Sequence, residues 1–191
     1  MKKDIILAGV GGQGILSVAA VIGMAALEKN LHIKQAEVHG MSQRGGAVQS
    51  HLRISTNEIA SDLIPFGEAD MILSVEPMEA LRYLPYLSKN GWVITNTTPF
   101  INISNYPDIE KLMKQYDSLP NKIKVNADEI AKQIGSPRSS NIVMVGAASA
   151  YLDIPYESLE NGIRKIFARK GDKIIEKNLE ALKAGKDAAM K

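Results

Sequence analysis

Residues 4–38 read DIILAGVGGQGILSVAAVIGMAALEKNLHIKQAEV, and the fold class follows from them. DIILA (4–8) is a short apolar run stopped by glycines, as a buried strand is. From about 14 to 29 the chain is rich in Ala, Leu and Met, which lose little side-chain freedom in a helix. IKQAEV (33–38) reads as a second strand. Strand, glycine turn, helix and strand within roughly 35 residues make a βαβ unit. Its two strands are expected to be parallel, with a right-handed crossover.

Outward from this unit the alternation continues. In AVQSHLRIS (47–55), Val48, Ser50, Leu52 and Ile54 alternate with Gln49, His51 and Arg53, the period of a strand. DMILSV (70–75) is another apolar strand, and PMEALRYLPYL (77–87) a helix opened by Pro77. Asn90-Gly91 predicts a turn into WVITNT (92–97). YPDIEKLMKQY (106–116) reads as an exposed helix, KIKVNA (122–127) as a sixth strand, and ADEIAKQIG (127–135) as a short helix closed by Gly135.

After Ser139 the strands stop. SSNIVMVGAASAYL (139–152) is apolar on all sides and predicts a buried helix. In YESLENGIRKIF (156–167), Leu159, Ile163, Ile166 and Phe167 share one face. In the last helix, 172–190, Ile174, Ile175, Leu179 and Leu182 are expected to form the buried face. The whole predicts a single α/β domain over 1–191: a three-layer α/β/α core with a mostly parallel sheet over 1–138, then C-terminal helices over 139–191.

Composition narrows the function. With 23 basic and 21 acidic residues, a net +2, there is no field suited to nucleic acid. No cysteine is present, which removes disulfides, cysteine-held zinc and iron–sulfur ligation. His32, His39 and His51 lack metal-ligand spacing, so no metal site is expected. Asp4 and the glycines interrupt what would otherwise pass for a signal peptide, and the apolar stretch 14–27 is too short to cross a bilayer. The expected setting is the cytoplasm, away from membranes.

Gly9, Gly11 and Gly14 spell G-x-G-x-x-G between a strand and a helix. Such a loop lets an anion approach free backbone N–H groups at a helix start. Three readings stand: NAD(P), another phosphate-bearing ligand, or a tight structural turn. The NAD reading needs an acid at the end of the second strand, and Glu37, 23 residues beyond Gly14, is in place. A second glycine loop, GMSQRGGAV (40–48), follows at once, where an NAD domain would continue into a helix. Its Arg44 offers a planar donor fork for carboxylate or phosphate, and Gly45 and Gly46 admit close backbone approach. Both loops leave the carboxyl ends of strands expected to be adjacent, so Arg44 is expected to face whatever the first loop cradles. A solvated loop, with Arg44 capping a helix or pairing with a carboxylate, is the plainer alternative.

Taken together, GVGGQG (9–14), EVHGMSQRGGAVQSHLR (37–53) and NIVMVGAASA (141–150) resemble the gamma-type domain of the 2-oxoacid:ferredoxin oxidoreductases. The resemblance covers nearly the whole chain. It extends to NLEALKAG (178–185), where Asn178 and Gly185 match, and HGMSQRGG (39–46) points to the indolepyruvate branch. It implies a non-catalytic subunit of a complex that converts a 2-oxoacid and coenzyme A to acyl-CoA and carbon dioxide, with electrons passing to ferredoxin. Thiamine diphosphate, Mg and [4Fe-4S] clusters are implied on a large partner subunit. Coenzyme A is implied as a co-substrate that this chain helps to accommodate. Carried over, Gly9, Gly11, Gly12, Gln13, Gly14, Ser42, Gln43, Arg44 and Gly45 become a ligand-facing rim. None of them is an acid, base or nucleophile suited to catalysis. A self-contained NAD(P)-dependent dehydrogenase and a free-standing phosphate- or CoA-binding module are the competing readings. The first lacks a Tyr-x-x-x-Lys pair, and Tyr83 and Tyr86 read as packing residues.

Overall fold

The structure, a computed structural model, describes residues 1–40 and 45–190. Strands β1 (Lys2–Val10), β2 (His32–His39), β3 (Ala47–Ser55), β4 (Ala69–Ser74), β5 (Leu87–Asn96) and β6 (Lys122–Val125) form one sheet. Its order is β2-β3-β1-β4-β5-β6. β1, β4, β5 and β6 are parallel neighbours, whereas β3 pairs antiparallel with both β1 and β2.

The expected βαβ unit is therefore modified. β1 and β2 point the same way, and helix α1 (Ile15–Glu28) joins them, but β3 lies between. β2 becomes an exposed edge. A hairpin explains this: a strand following β2 after a short loop returns antiparallel, and β1 is the apolar edge left for it to cover.

Asp4 and Arg53 face each other in the β1–β3 register. Asp4 is buried, and Arg53 grips it through Nε at 2.8 Å and a terminal nitrogen at 3.0 Å. The same guanidinium donates to the carbonyls of Ser61 and Leu63. The charge that interrupts the first apolar strand is thus one half of a forked pair, and a one-residue slip would leave it unpaired in the interior.

Alternation along β1 divides the core. Ile5 and Leu7 face helices α1, α4 (Ala127–Gln133), α5 (Ser140–Ala148), α6 (Tyr156–Phe167) and α7 (Asp172–Ala189). Ile6 faces the other layer, with α2 (Pro77–Arg82) and α3 (Ile109–Asp117), where Leu112 and Tyr116 are buried. The predicted helix 77–87 is shorter than expected. It stops at Arg82, and a single 3-10 turn over Leu84–Tyr86 carries Pro85 before β5 begins. The predicted turn at Asn90-Gly91 is instead an irregularity within β5, whose pairing with β4 jumps from Ala69↔Leu87 to Met71↔Trp92. A Cβ on Gly91 would sit 2.8 Å from the Ala69 carbonyl oxygen, so the glycine lets the two strands close up there.

The buried side of α7 includes Leu182 as expected but is centred one step round from the isoleucines. Ile174 is exposed and Ile175 and Leu179 are half-buried, while Asn178, Ala181, Leu182 and Gly185 point inward. The cause is a very close crossing with α5. A Cβ on Gly146 would lie 2.0 Å from the Leu182 carbonyl oxygen, and one on Gly185 would lie 1.9 Å from that of Val143. The backbones touch where each helix offers a glycine, so small residues replace the isoleucines at the contact. Gly146→Ala is expected to lower stability by about 3 kcal/mol, because only a displaced helix admits the methyl group. Gly23→Ala in α1, which meets nothing nearer than Ile33 Cδ1 at 3.9 Å, should be neutral or stabilising by up to about 1 kcal/mol. Urea denaturation separates the two; equal effects would mean that α5 and α7 have room to spare.

His51 on β3 is buried, with the Tyr86 ring edge against it. Its Nδ1 accepts from the Ile64 N–H at 2.9 Å, which requires an unprotonated ring nitrogen. Burial pushes its pKa below the ordinary 6.5, Asp62 opposes that, and Arg53 reinforces it. A depressed folded pKa gives stability that is complete above 6.5 and is lost as the pH falls from there through the folded value. Unfolding free energy measured from pH 7.5 to 5 should decline on that limb, and His51→Asn should flatten the decline; an unchanged slope would remove His51 as its source.

Candidate functional site

Four connections meet at one end of the sheet. Loop 11–14 leaves β1, residues 75–76 leave β4, and residues 97–108 leave β5. The hairpin loop 40–46 joins β2 to β3. This is the carboxyl edge of the parallel strands, where α/β sheets place ligands.

The two glycine loops are bonded to each other. The Gly11 N–H donates to the Gly46 carbonyl at 2.8 Å, and the Gly45 N–H donates to the Gly11 carbonyl at 3.2 Å. The neck of the hairpin closes through the Gly40 N–H and the Ala47 carbonyl, 2.9 Å apart. Thus the loops share an edge although β1 and β2 are not adjacent: the second loop leads directly into β3, the neighbour of β1. Ser42, Gln43 and Arg44 lie outside the described residues.

The remaining rim residues divide by role. Gly9 is buried, and a Cβ there would meet Val75 Cγ2 at 2.5 Å and Ile15 Cδ1 at 2.8 Å, so its bareness serves packing. Gln13 turns inward: its Oε1 accepts from the Val10 N–H at 2.8 Å and its Nε2 reaches the Val75 carbonyl at 3.4 Å, tying β1 to β4. Gly14 opens α1 in the left-handed conformation, and its carbonyl accepts from Asn141 Nδ2 at 3.0 Å. Gly12 and Gly45 have positive φ, +102° and +79°, and among the described residues no atom lies within 4 Å of a Cβ position at either. These two are the open points of the rim.

Loop 97–108 braces this arrangement. Asn102 Nδ2 donates to the Gly45 carbonyl. Phe100, Ile101 and Ile103 stand exposed beside it. The loop is held from beneath by Glu76, a fully buried carboxylate just before Pro77. Glu76 caps α2 through the Glu79 N–H at 2.9 Å, accepts from the Phe100 N–H at 3.2 Å, and accepts from the Tyr106 hydroxyl. Burial, then the bond to Glu76, holds the Tyr106 phenol far above its ordinary range, so it remains a donor. Asn96, at the end of β5, bonds the Val75 carbonyl, Asp128 and the Ala127 N–H. Neither Glu76 nor Asn102 stood out in the sequence; the one signal was an acid directly before a helix-opening proline.

Two clefts flank the first glycine loop. The narrower, about 370 Å³, lies between Gly11, Gly12, Gly14, Leu16 and the end of β2. Glu37 lines it, the acid that NAD binding would need. His39 Nε2 lies 2.5 Å from Glu37 Oε1, though off the line of a hydrogen bond. With β3 between β1 and β2, Glu37 is one strand further from the loop than a dinucleotide domain places its acid. The wider cleft, about 570 Å³, lies on the opposite flank, against α5 and the start of α7. Among the described residues no helix is long and apolar enough to cross a membrane.

Comparison with known proteins agrees with this architecture. The pyruvate ferredoxin/flavodoxin oxidoreductase family matches residues 4–188, and the chain belongs to that family. The indolepyruvate oxidoreductase subunit IorB of Archaeoglobus fulgidus is 39% identical over 199 residues, covering 100% of this chain and 96% of the relative. The pyruvate oxidoreductase subunit PORC of Thermotoga maritima superposes with a TM-score of 0.75 at 22% identity, over 98% of this chain and 96% of that one. The 2-oxoglutarate:ferredoxin oxidoreductase of Magnetococcus marinus, solved with 2-oxoglutarate, coenzyme A and succinyl-CoA, gives a TM-score of 0.78 at 22% identity. There the match covers 99% of this chain but 31% of the other, so the fold recurs as one part of a longer polypeptide. The chain is a small subunit of the 2-oxoacid:ferredoxin oxidoreductase type.

Glu76→Gln keeps the shape but turns one acceptor into a donor facing other donors. It is expected to cost about 1–3 kcal/mol. Amide exchange should accelerate over 98–106 while the β1 and β4 amides keep their protection; uniform acceleration would mean that Glu76 supports the fold as a whole and not this loop.

Proposed function

We propose that the chain is the non-catalytic subunit of an indolepyruvate-type 2-oxoacid:ferredoxin oxidoreductase. The complex decarboxylates a 2-oxoacid oxidatively and transfers the acyl group to coenzyme A, with ferredoxin as electron acceptor. Thiamine diphosphate, Mg and the iron–sulfur clusters belong to a large partner subunit; this cysteine-free chain has no thiolate for a cluster. The chain packs beside that active site and its glycine rim receives part of coenzyme A.

The observation that carries the reading is the bonded junction of Gly11 with Gly45 and Gly46. It holds two glycine loops together at the sheet edge, with Gly12 and Gly45 open. Such a rim lets an anion approach the start of α1 closely, without a group that exchanges protons. Whole-length identity of 39% to an indolepyruvate oxidoreductase subunit supports the branch. The self-contained dehydrogenase is disfavoured by the strand inserted between the glycine loop and Glu37.

Arg44 supplies the charge of this rim. Its guanidinium stays protonated at working pH, so its role is a contact to an anionic group and not proton transfer. In the reconstituted complex, with indolepyruvate and a viologen dye, Arg44→Ala should raise the apparent KM for coenzyme A about tenfold or lower turnover to a similar degree. Thermal stability should stay near wild type. Arg44→Lys keeps the charge but loses the fork, and should recover only part of the loss. Wild-type kinetics in the alanine variant would remove the rim from coenzyme binding.

A further inference from the structure

Loop 97–108 is unusual for a connection in solvent. Residues 97–107, TTPFINISNYP, carry no charge, in a chain whose charged fraction is 23%. A connection of this length without secondary structure of its own is ordinarily functional. Phe100, Ile101 and Ile103 are exposed on it, Ile101 by 67%. Single exposed apolar side chains are ordinary, but three within four residues, with no charge beside them, make a patch that something covers.

The patch is presented in a fixed shape. Thr98 bonds Asn96 and Asn126, Phe100 and Tyr106 bond the buried Glu76, and Asn102 donates to the Gly45 carbonyl. A surface already held this way loses little freedom when it is covered. Leu16, in the first turn of α1, and Val38, near the end of β2, add exposed apolar side chains at the same edge of the sheet. Apolar and aromatic side chains with charge excluded are the composition of the centre of a protein–protein interface.

We propose that the shoulder formed by Phe100, Ile101 and Ile103 is the surface on which the large partner subunit docks, with Leu16 and Val38 at its margin. The inference rests on the reading of the chain as the small subunit of such a complex, and it assigns the surface that holds the chain there. Two observations select this occupant. In the Magnetococcus marinus enzyme the fold occupies 31% of a longer polypeptide, whereas in the Archaeoglobus fulgidus subunit the match covers 96% of the relative. The same fold is thus met both tethered to further polypeptide and as nearly a whole subunit, and a subunit of the second kind is held by its surface alone. Secondly, Asn102, in the middle of the patch, joins it to the glycine rim at Gly45. A partner whose active site meets the rim therefore covers the shoulder as well. A second copy of the chain seated there across a two-fold axis would instead turn the two rims toward each other and block both.

The test combines the full chain with the purified thiamine diphosphate-binding large subunit of its own complex. Hydrogen exchange compares the free chain with the complex, and the amides of 99–104 should gain protection. Ile101→Asp combined with Ile103→Asp should raise the dissociation constant for the large subunit about a hundredfold or more, with an unchanged melting temperature because both side chains are exposed. Leu63→Asp is the control: Leu63 is also exposed, but it lies in the connection from β3 to β4 at the opposite end of the sheet, and its substitution should leave the affinity unchanged. Wild-type affinity in the double variant, or protection confined to other surfaces, would overturn the proposal and leave the small-subunit reading standing. A free chain that sediments as a dimer, and as a monomer in the double variant while affinity for the large subunit is kept, would assign the shoulder to a second copy and overturn it likewise. No association of the wild-type chain with the large subunit would overturn both, so the two failures are distinguishable.

Discussion

The antiparallel pairing of β3 with β1 is the constraint on which the rest depends. It runs without interruption from Lys2↔Ser55 to Val10↔Ala47. One end is locked by Asp4 and Arg53, a forked pair in the interior. The other end continues beyond the strands as the Gly11 bonds to Gly45 and Gly46. Register is therefore transmitted along the whole ladder: fixing the charge pair at one end fixes which backbone groups meet at the other. A slip of one residue would expose Leu52 and Ile54 and separate the two glycine loops together. Fold and site are thus specified by the same hydrogen bonds.

This constraint also accounts for the departure from a dinucleotide-binding domain. A G-x-G-x-x-G loop after a first strand normally faces a parallel second strand whose terminal acid reaches a ribose. Here the neighbouring strand runs the other way, so the residues nearest the glycine loop are those entering β3. The bonded partner of the first loop is a second loop. A change in strand order alone thus sets a second loop, and not a strand-end acid, against the first.

Much of the architecture was legible because short apolar runs and glycine punctuation are local signals. DIILA, DMILSV and the alternating 47–55 stretch lie in strands. Strand order was not legible, since β2 and β3 carry the same pattern whether they pair with β1 or with each other. On α7, Leu182 is buried and Ile175 and Leu179 pack against the core as expected, but Ile174 is exposed and the centre of the contact was not legible, because isoleucines at helical spacing ordinarily mark the buried side. The decisive fact was a pair of glycines some forty residues apart, Gly146 and Gly185, whose meeting is a tertiary event. The meeting of the two glycine loops at one edge was legible as a pair of motifs. The buried Glu76 beneath it was not, because a carboxylate before a proline reads as an ordinary cap until the Tyr106 and Phe100 donors arrive from 24 to 30 residues away.

The glycines themselves separate into two populations that sequence cannot distinguish. Gly146 and Gly185 are bare because backbone fills the space of a side chain, so substitution there is resisted by packing. Gly12 and Gly45 are bare with no described atom near a Cβ position, and among the described residues only their positive φ restricts substitution. A stability requirement explains the first pair completely. For the second, stability accounts for the backbone conformation but not for the space left at the sheet edge beside Asn102 and the exposed Phe100, Ile101 and Ile103. Polar rim and apolar shoulder lie on one side of the molecule, whereas His51 and the Asp4–Arg53 lock serve the sheet at a distance from it. Clefts thus lie on both flanks of a single loop, and the close α5–α7 crossing stands behind the wall of the wider flank.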